Sequence, residues 1–332
     1  MSNQSIQKPH DRLAAVLKDD LDAVSALIRE RMASEHAPRI PEVTAHLVEA
    51  GGKRLRPMLT LAAAQLCGYY GPYHVHLATT VEFIHTATLL HDDVVDESKQ
   101  RRGRPTANLL WDNQSSVLVG DYLFARSFQL MTEPGSMRVM KILSNAAATI
   151  AEGEVLQLTA AQNLATTEAV YFQVVRGKTA ALFSAATQVG GVLADAPENH
   201  VQALFDFGDA LGIAFQIVDD LLDYQGVAGE TGKNIGDDFR ERKLTLPVIK
   251  AVARADDEER AFWMRTIERG KQEDNDLDHA LALLNKHGTL KATQADALEW
   301  ADKAKAALAP LPDHEIKGML GDIADYVVAR IS

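Results

Sequence analysis

An all-α fold is predicted by three observations. Apolar residues recur at three- and four-residue spacings along almost the whole chain, and no run of alternating β-branched residues bounded by hairpin turns breaks that pattern. Glycine- and proline-bearing breaks then divide the chain into segments of ordinary helical length. They fall at Glu35–Pro41, Gly68–Pro72, Arg101–Pro105, Pro134–Gly135, Gly190–Pro197, Gly226–Gly236, Gly270–Asn275 and Pro310–Asp313. None has the composition of an interdomain linker, and the chain holds no low-complexity tract or short-period repeat. Length alone would suggest about two domains. The missing linker argues instead for a single all-α domain over residues 1–332, with the motifs that carry chemistry between 49 and 243 and amphipathic packing helices from about 250 to 332.

Composition excludes several classes of function. Acidic residues outnumber basic ones 46 to 34, a formal charge of -12, which argues against a general binder of nucleic acid or anionic membrane. Any anionic ligand must meet a local basic cluster. The single cysteine, Cys67, rules out an internal disulfide framework or a cysteine-rich metal site, fits a reducing compartment, and is expected to be a buried structural thiol. The first twenty residues lack the apolar core of a secretory signal, so a cytoplasmic location is expected. The longest uncharged stretch, Pro57 to Val81, is interrupted by GYYGPYHVH, and no transmembrane segment is expected.

Two aspartate clusters dominate. In FIHTATLLHDDVVDE, an apolar helical run leads into Asp92, Asp93 and Asp96; Asp92 and Asp96 are one turn apart, and His85 lies two turns back on the same stripe. In GIAFQIVDDLLDY, Gln216, Asp219, Asp220 and Asp223 follow the i, i+3, i+4, i+7 pattern of one helical face. Carboxylates a turn apart repel, and burial adds several kcal/mol unless cations compensate. The first cluster also precedes a helix end, where the helix dipole disfavours anions by roughly 0.3–1 kcal/mol each. Oxygen donors without thiolate suit a hard ion such as Mg2+ bound jointly with substrate phosphates. One DDxxD reads equally well as a solvated helix end; two on otherwise apolar helices do not.

Basic elements accompany the acids. EAGGKRLRP places Lys53, Arg54 and Arg56 after a Gly-Gly turn, and KQRRGRPT places Arg101, Arg102 and Arg104 just beyond the first cluster. Either alone reads as solvated surface; beside the acids they suggest a metal-diphosphate site. VVRGKTAALFS sets Gly177, Lys178 and Thr179 inside a helical pattern, where glycine costs ~1 kcal/mol and marks a kink exposing backbone carbonyls. Lys233 lies in a glycine-rich stretch read as a lid, with Lys243 about ten residues later.

In order and spacing, GGKRLRP, LLHDDVVDESKQRRGRPT, GKTAALF, FQIVDDLLDY and TGKNIGDD resemble the trans-isoprenyl diphosphate synthase family, most of all its octaprenyl, nonaprenyl and decaprenyl members. The resemblance spans about residues 45 to 250. It implies the isoprenoid synthase fold, a single-domain bundle of long helices around a central catalytic cavity, and a homodimer. It implies a prenyltransferase that condenses isopentenyl diphosphate head to tail onto an allylic diphosphate, with Mg2+, about three ions with bound diphosphate. Asp92, Asp96 and Asp219 would hold the metal, with Asp93, Asp220 and Asp223 supporting them. Arg101, Lys178, Lys233 and Lys243 would bind the allylic diphosphate, and Lys53, Arg56, His85 and Arg102 the isopentenyl diphosphate. Thr179 and Gln216 would present oxygens to the reacting carbons. The spacing from Lys233 to Lys243 varies in the family, so Lys243 is the assignment that spacing supports least.

Ala87 and Thr88 stand where short-product members of the family commonly carry aromatic residues, so a long product is expected, serving a quinone side chain, with transient membrane contact on release. Phe83, Ile84, Leu118, Tyr122 and Met131 are deeper candidates for the tunnel, although helical spacing fits ordinary core at each. The alternatives are a farnesyl or geranylgeranyl synthase, a terpene cyclase or head-to-head synthase, a di-iron protein suggested by Glu82 and His85, and a non-catalytic partner subunit. GGKRLRP and RRGRP favour a second diphosphate substrate over the cyclase, the di-iron fold needs two ExxH motifs, and both aspartate motifs are intact.

Overall fold

The computed structural model describes residues 8–49, 52–101, 103–226 and 235–331. The first helix of the described residues is α1 (Pro9–Val16), which has proline in its first turn, where no N–H is needed. The chain continues with α2 (Lys18–Met32), α3 (Arg39–Glu49), α4 (Leu55–Leu66) and α5 (Tyr73–Val95). A two-residue hairpin, β1 (Gln100–Arg101) paired antiparallel with β2 (Arg104–Pro105), is the only sheet among the described residues. Then follow α6 (Ala107–Leu110), α7 (Asn113–Thr132), α8 (Met137–Ala160), α9 (Glu168–Val175), α10 (Ala181–Leu193) and α11 (Glu198–Gln225). The C-terminal helices are α12 (Asp237–Arg240), α13 (Leu246–Arg254), α14 (Asp257–Trp263), α15 (Asp276–Lys286), α16 (Thr289–Ala307) and α17 (Glu315–Ala329).

Some helices start at a side-chain cap that the sequence supplies. Asp112 accepts from the Ser115 amide ahead of α7, and Thr167 accepts from the Val170 amide ahead of α9. Asp256 and Glu259 form a reciprocal capping box at α14. One predicted break is displaced. Gly190 and Gly191 lie inside α10, which continues to Leu193 before the turn into Pro197. The reason is packing: a Cβ on Gly190 would sit 2.7 Å from both the Ala63 Cβ and the Ala64 amide nitrogen, so glycine here permits close helix approach rather than a turn.

Two compact units emerge. The first comprises residues 1–147, 182–208 and 307–323; the second comprises 148–181, 209–306 and 324–332. In the first, α5 packs against α7, α4 and α2. Its Leu77, Val81, Ile84 and Ala87 are fully buried, a helical stripe that seats the first aspartate cluster at the helix end. In the second, Phe239, Phe262 and Trp263 form a core with Val248, Ala251 and Leu284, and the Phe262 and Trp263 rings meet edge to face at 5.1 Å. Helix α11 is long and apolar enough to cross a membrane by composition, but 67% of that window is buried inside the protein, as befits a core helix.

Candidate active site

In the first unit, α5 ends at Val95 with Asp96 as its C-cap, so the first acidic motif occupies the last turn of a buried helix, as the sequence suggests. Asp92 and Asp96 are half-buried and Asp93 is fully buried. The hairpin returns Arg101 to this acid. Its Nε and Nη2 donate to Asp93 Oδ1 at 2.9 and 2.8 Å, the two-pronged contact to which a guanidinium is suited. The loop is pinned by the Thr106 hydroxyl, which donates to the Ser98 carbonyl at 2.7 Å, and by Asn108 Nδ2, which donates to the Asp93 carbonyl at 3.3 Å. Arg101, expected at the allylic diphosphate, is thus engaged with Asp93 in this structure.

The basic set after the Gly-Gly turn is partly assembled in the same unit. Arg56 Nη1 lies 3.3 Å from His85 Nε2, and the guanidinium carbon lies 4.4 Å from the centre of the Phe183 ring. The aromatic face holds the guanidinium by cation–π attraction. Lys53 is exposed just ahead of α4, which starts at a left-handed Arg54 with φ 44°. Arg102 and Lys233 lie outside the described residues.

In the second unit, Gln216 and Asp219 are half-buried while Asp220 and Asp223 are buried. Asp220 is bound entirely by protein donors: the Tyr171 hydroxyl donates to Oδ2 at 2.6 Å and Gln216 Nε2 to Oδ1 at 2.8 Å. Burial pushes its carboxyl up to about 7, against the opposing pull of those two hydrogen bonds and with the neighbouring Asp219 and Asp223 adding to the rise. Burial likewise pushes the Tyr171 phenol well above its ordinary value, which keeps it a donor. Asp223 Oδ2 accepts the Asp238 amide at 3.0 Å, and its carbonyl accepts the Gly236 amide at 2.8 Å, so it anchors the segment leading into α12.

The kink expected at Gly177 is a π-helical turn over Arg176–Ala180 between α9 and α10. Gly153 and Gly177 allow α8 to press against it: a Cβ on Gly153 would sit 2.6 Å from the Lys178 amide nitrogen. The turn carries Lys178, whose Nζ donates to Glu154 Oε2 at 2.9 Å, and Thr179, whose hydroxyl donates to Gln216 Oε1 at 2.8 Å. Thr179 and Gln216, each expected to present an oxygen to the reacting carbons, are therefore joined to one another. Lys243 Nζ lies 2.6 Å from Glu241 Oε2.

Sequence reasoning missed Tyr171 and Glu154. The available signal was faint: Tyr171 lies eight residues before Thr179, and Glu154 sits in a glycine-containing stretch of α8. Of the deeper tunnel candidates, Phe83, Ile84 and Met131 are buried and Tyr122 is half-buried, its hydroxyl donating to the Arg31 carbonyl at 3.4 Å. Leu118 is a correction. It is 66% exposed on the outer face of α7 and lines no interior, because helical spacing fixes which residues share a stripe and not which way the stripe faces. Ala87 is fully buried; Thr88 is half-buried, its hydroxyl donating back to the His85 carbonyl at 2.8 Å.

Among the described residues no three His, Cys, Asp or Glu side chains gather closely enough to chelate an ion by themselves. The half-buried Asp92, Asp96 and Asp219 offer only carboxylate oxygens. Asp92 and Asp96 in the first unit, and Asp219 in the second, are each of the donor type that suits Mg2+, which binds through one or two carboxylates and takes its other ligands from water and substrate phosphates.

Residues 37–284 match the family model described as polyprenyl synthetase. The octaprenyl diphosphate synthase of Escherichia coli K12 is 43% identical over 320 residues, covering 96% of this chain and 98% of that protein. The crystal structure of a decaprenyl diphosphate synthase from Rhodobacter capsulatus superposes with a TM-score of 0.95 at 76% identity, covering 97% of this chain and 99% of that one. A polyprenyl synthase from Caulobacter crescentus CB15, complexed with calcium and isoprenyl diphosphate, superposes with a TM-score of 0.93 at 48% identity, covering 97% and 98% of the two chains.

Proposed function

The chain belongs to the polyprenyl synthetase family, and on that premise we propose that its acids, cations and π turn act together in chain elongation. The protein is a prenyltransferase, an all-trans long-chain polyprenyl diphosphate synthase that condenses isopentenyl diphosphate head to tail onto an allylic diphosphate. The observation that carries the residue roles is the π turn. It sets Lys178 and Thr179 on consecutive positions, with the Thr179 hydroxyl on Gln216, which in turn donates to Asp220 of the second acidic motif.

Bound Mg2+ would supply positive charge to the departing diphosphate. Asp92, Asp96 and Asp219 would hold it through their carboxylate oxygens. Lys178 and Arg101 add fixed cations to the allylic diphosphate, and their charge favours the leaving group more as the carbon–oxygen bond stretches. Arg56, His85 and Lys53 hold isopentenyl diphosphate so that its double bond lies within attack distance of the allylic carbon. The oxygens of Thr179 and Gln216 face the positive charge that develops there. No side chain of the chain's own machinery is an evident base, and a diphosphate oxygen takes the proton that restores the allylic product.

The finer reading is a homodimer in the cytoplasm, with a product of octaprenyl to decaprenyl length for a quinone side chain. Support for self-association comes from α7, where two large apolar side chains, Leu118 and Phe128, are 66% and 46% exposed. The test is turnover of labelled isopentenyl diphosphate with an allylic primer, with product sizing. Elongation that requires Mg2+ and runs to long chains is expected; release of a cyclic hydrocarbon with no isopentenyl diphosphate consumed would refute the reading.

A further inference from the structure

The hydroxyl of Tyr171 is buried against Asp220 at 2.6 Å, in a chain of contacts that leads back to the reacting groups. Asp220 Oδ1 accepts from Gln216 Nε2, and Gln216 Oε1 accepts from the Thr179 hydroxyl, each at 2.8 Å. We infer that Tyr171 is a positioning residue for prenyl transfer: by holding Asp220 it fixes which way the Gln216 amide faces, and so points the Gln216 carbonyl at Thr179.

The hydrogen-bonding groups of Gln216 and Asp220 leave one arrangement satisfied. An amide can turn over by exchanging its oxygen and nitrogen, at little cost in water. Here the turned amide would set its oxygen against the Asp220 oxygen that now accepts from its NH2, and its NH2 against Thr179, so the acid selects one orientation. The acid itself is steady only while both its oxygens are occupied. Gln216 fills one and Tyr171 the other, which also removes Asp220 from the set of acids free to meet an ion. A phenylalanine would fill the same volume, and Tyr171 packs edge to face on Phe172 at 5.4 Å without using its hydroxyl. The oxygen of Tyr171 therefore serves the acid rather than the core.

The inference depends on the prenyl-transfer reading above, which the wild-type turnover assay decides; the role of Tyr171 is decided by ratios between variants and by a structural readout. Tyr171→Phe is expected to lower kcat ~10-fold with both KM values within about twofold, because transition-state stabilisation and not substrate binding is lost. In a Gln216→Ala background the same change is expected to cost less than about twofold, since the group it positions is gone. Asp220→Asn, which keeps the volume, is expected to lower kcat in the same way. In a crystal structure of Tyr171→Phe, the Thr179 to Gln216 contact is expected to open beyond about 3.5 Å. The inference is overturned if Tyr171→Phe keeps wild-type kcat, if its loss multiplies fully with that of Gln216→Ala, or if the contact stays closed in the variant.

Discussion

Arg101 reaches back from the hairpin after α5 to place Nε and Nη2 on one oxygen of Asp93, whose side chain has no exposed surface. The acid that reads as part of a metal cluster is thus also the anchor of the loop that follows it.

Removing the guanidinium would leave a buried carboxylate uncompensated, which costs far more than the pair contributes. Arg101→Ala is expected to lose about 3 kcal/mol of stability in urea unfolding, with much of it regained when Asp93→Asn is added. Equal midpoints for Arg101→Ala and wild type would show that Asp93 draws its compensation from elsewhere.

Ala87 is fully buried on α5, one turn before Asp92. A phenyl ring at that point blocks any path running deeper along the helix, and overpacking costs about 1–3 kcal/mol. Ala87→Phe is expected to retain turnover and shift the products to shorter chains on a sizing gel. An unchanged product ladder would remove Ala87 from the tunnel.

Glu154 accepts from Lys178 and so neutralises part of the charge that a diphosphate would meet. Glu154→Gln keeps the shape and removes the competing anion. The KM for the allylic diphosphate is expected to fall about threefold while that for isopentenyl diphosphate holds. Steady-state kinetics with each substrate varied separately checks this, and a raised KM would mean that Glu154 aims the lysine instead.

Glu259 caps α14, and hydrogen bonds from Lys286 and His287 hold its carboxyl at about 2, below its ordinary 4.5. A depressed carboxyl contributes stability that is fully present above its unfolded value and fades as pH falls through the folded one. The gap in denaturation midpoint between wild type and Glu259→Gln should therefore hold steady above pH 4.5 and close as pH falls toward about 2. A gap that stays open at the lowest pH would place its origin in packing.

The helices, the two acidic motifs and the kink at Gly177 were legible in the sequence, because helical period, like-charge spacing and glycine inside a helix are local properties of a chain. Thr179 and Gln216 were named singly through the family resemblance, and their hydrogen bond came only with the fold. Gly190 reads as a break in the sequence but lies inside α10, since a glycine that loosens a turn and one that lets two helices touch look alike in one dimension. Leu118 was misplaced for the same reason: its stripe is set by spacing, its exposure by what packs nearby.

The chain by itself determined that it is helical and where its acids and cations gather, because each of those follows from neighbours within a few residues. Only the tertiary structure decided that Asp93 answers to Arg101, Asp220 to Tyr171 and Lys178 to Glu154. Tyr171 and Asp220 are 49 residues apart in sequence, and a hydrogen bond over that distance exists only once packing has brought the two side chains together and excluded the water that would otherwise satisfy them.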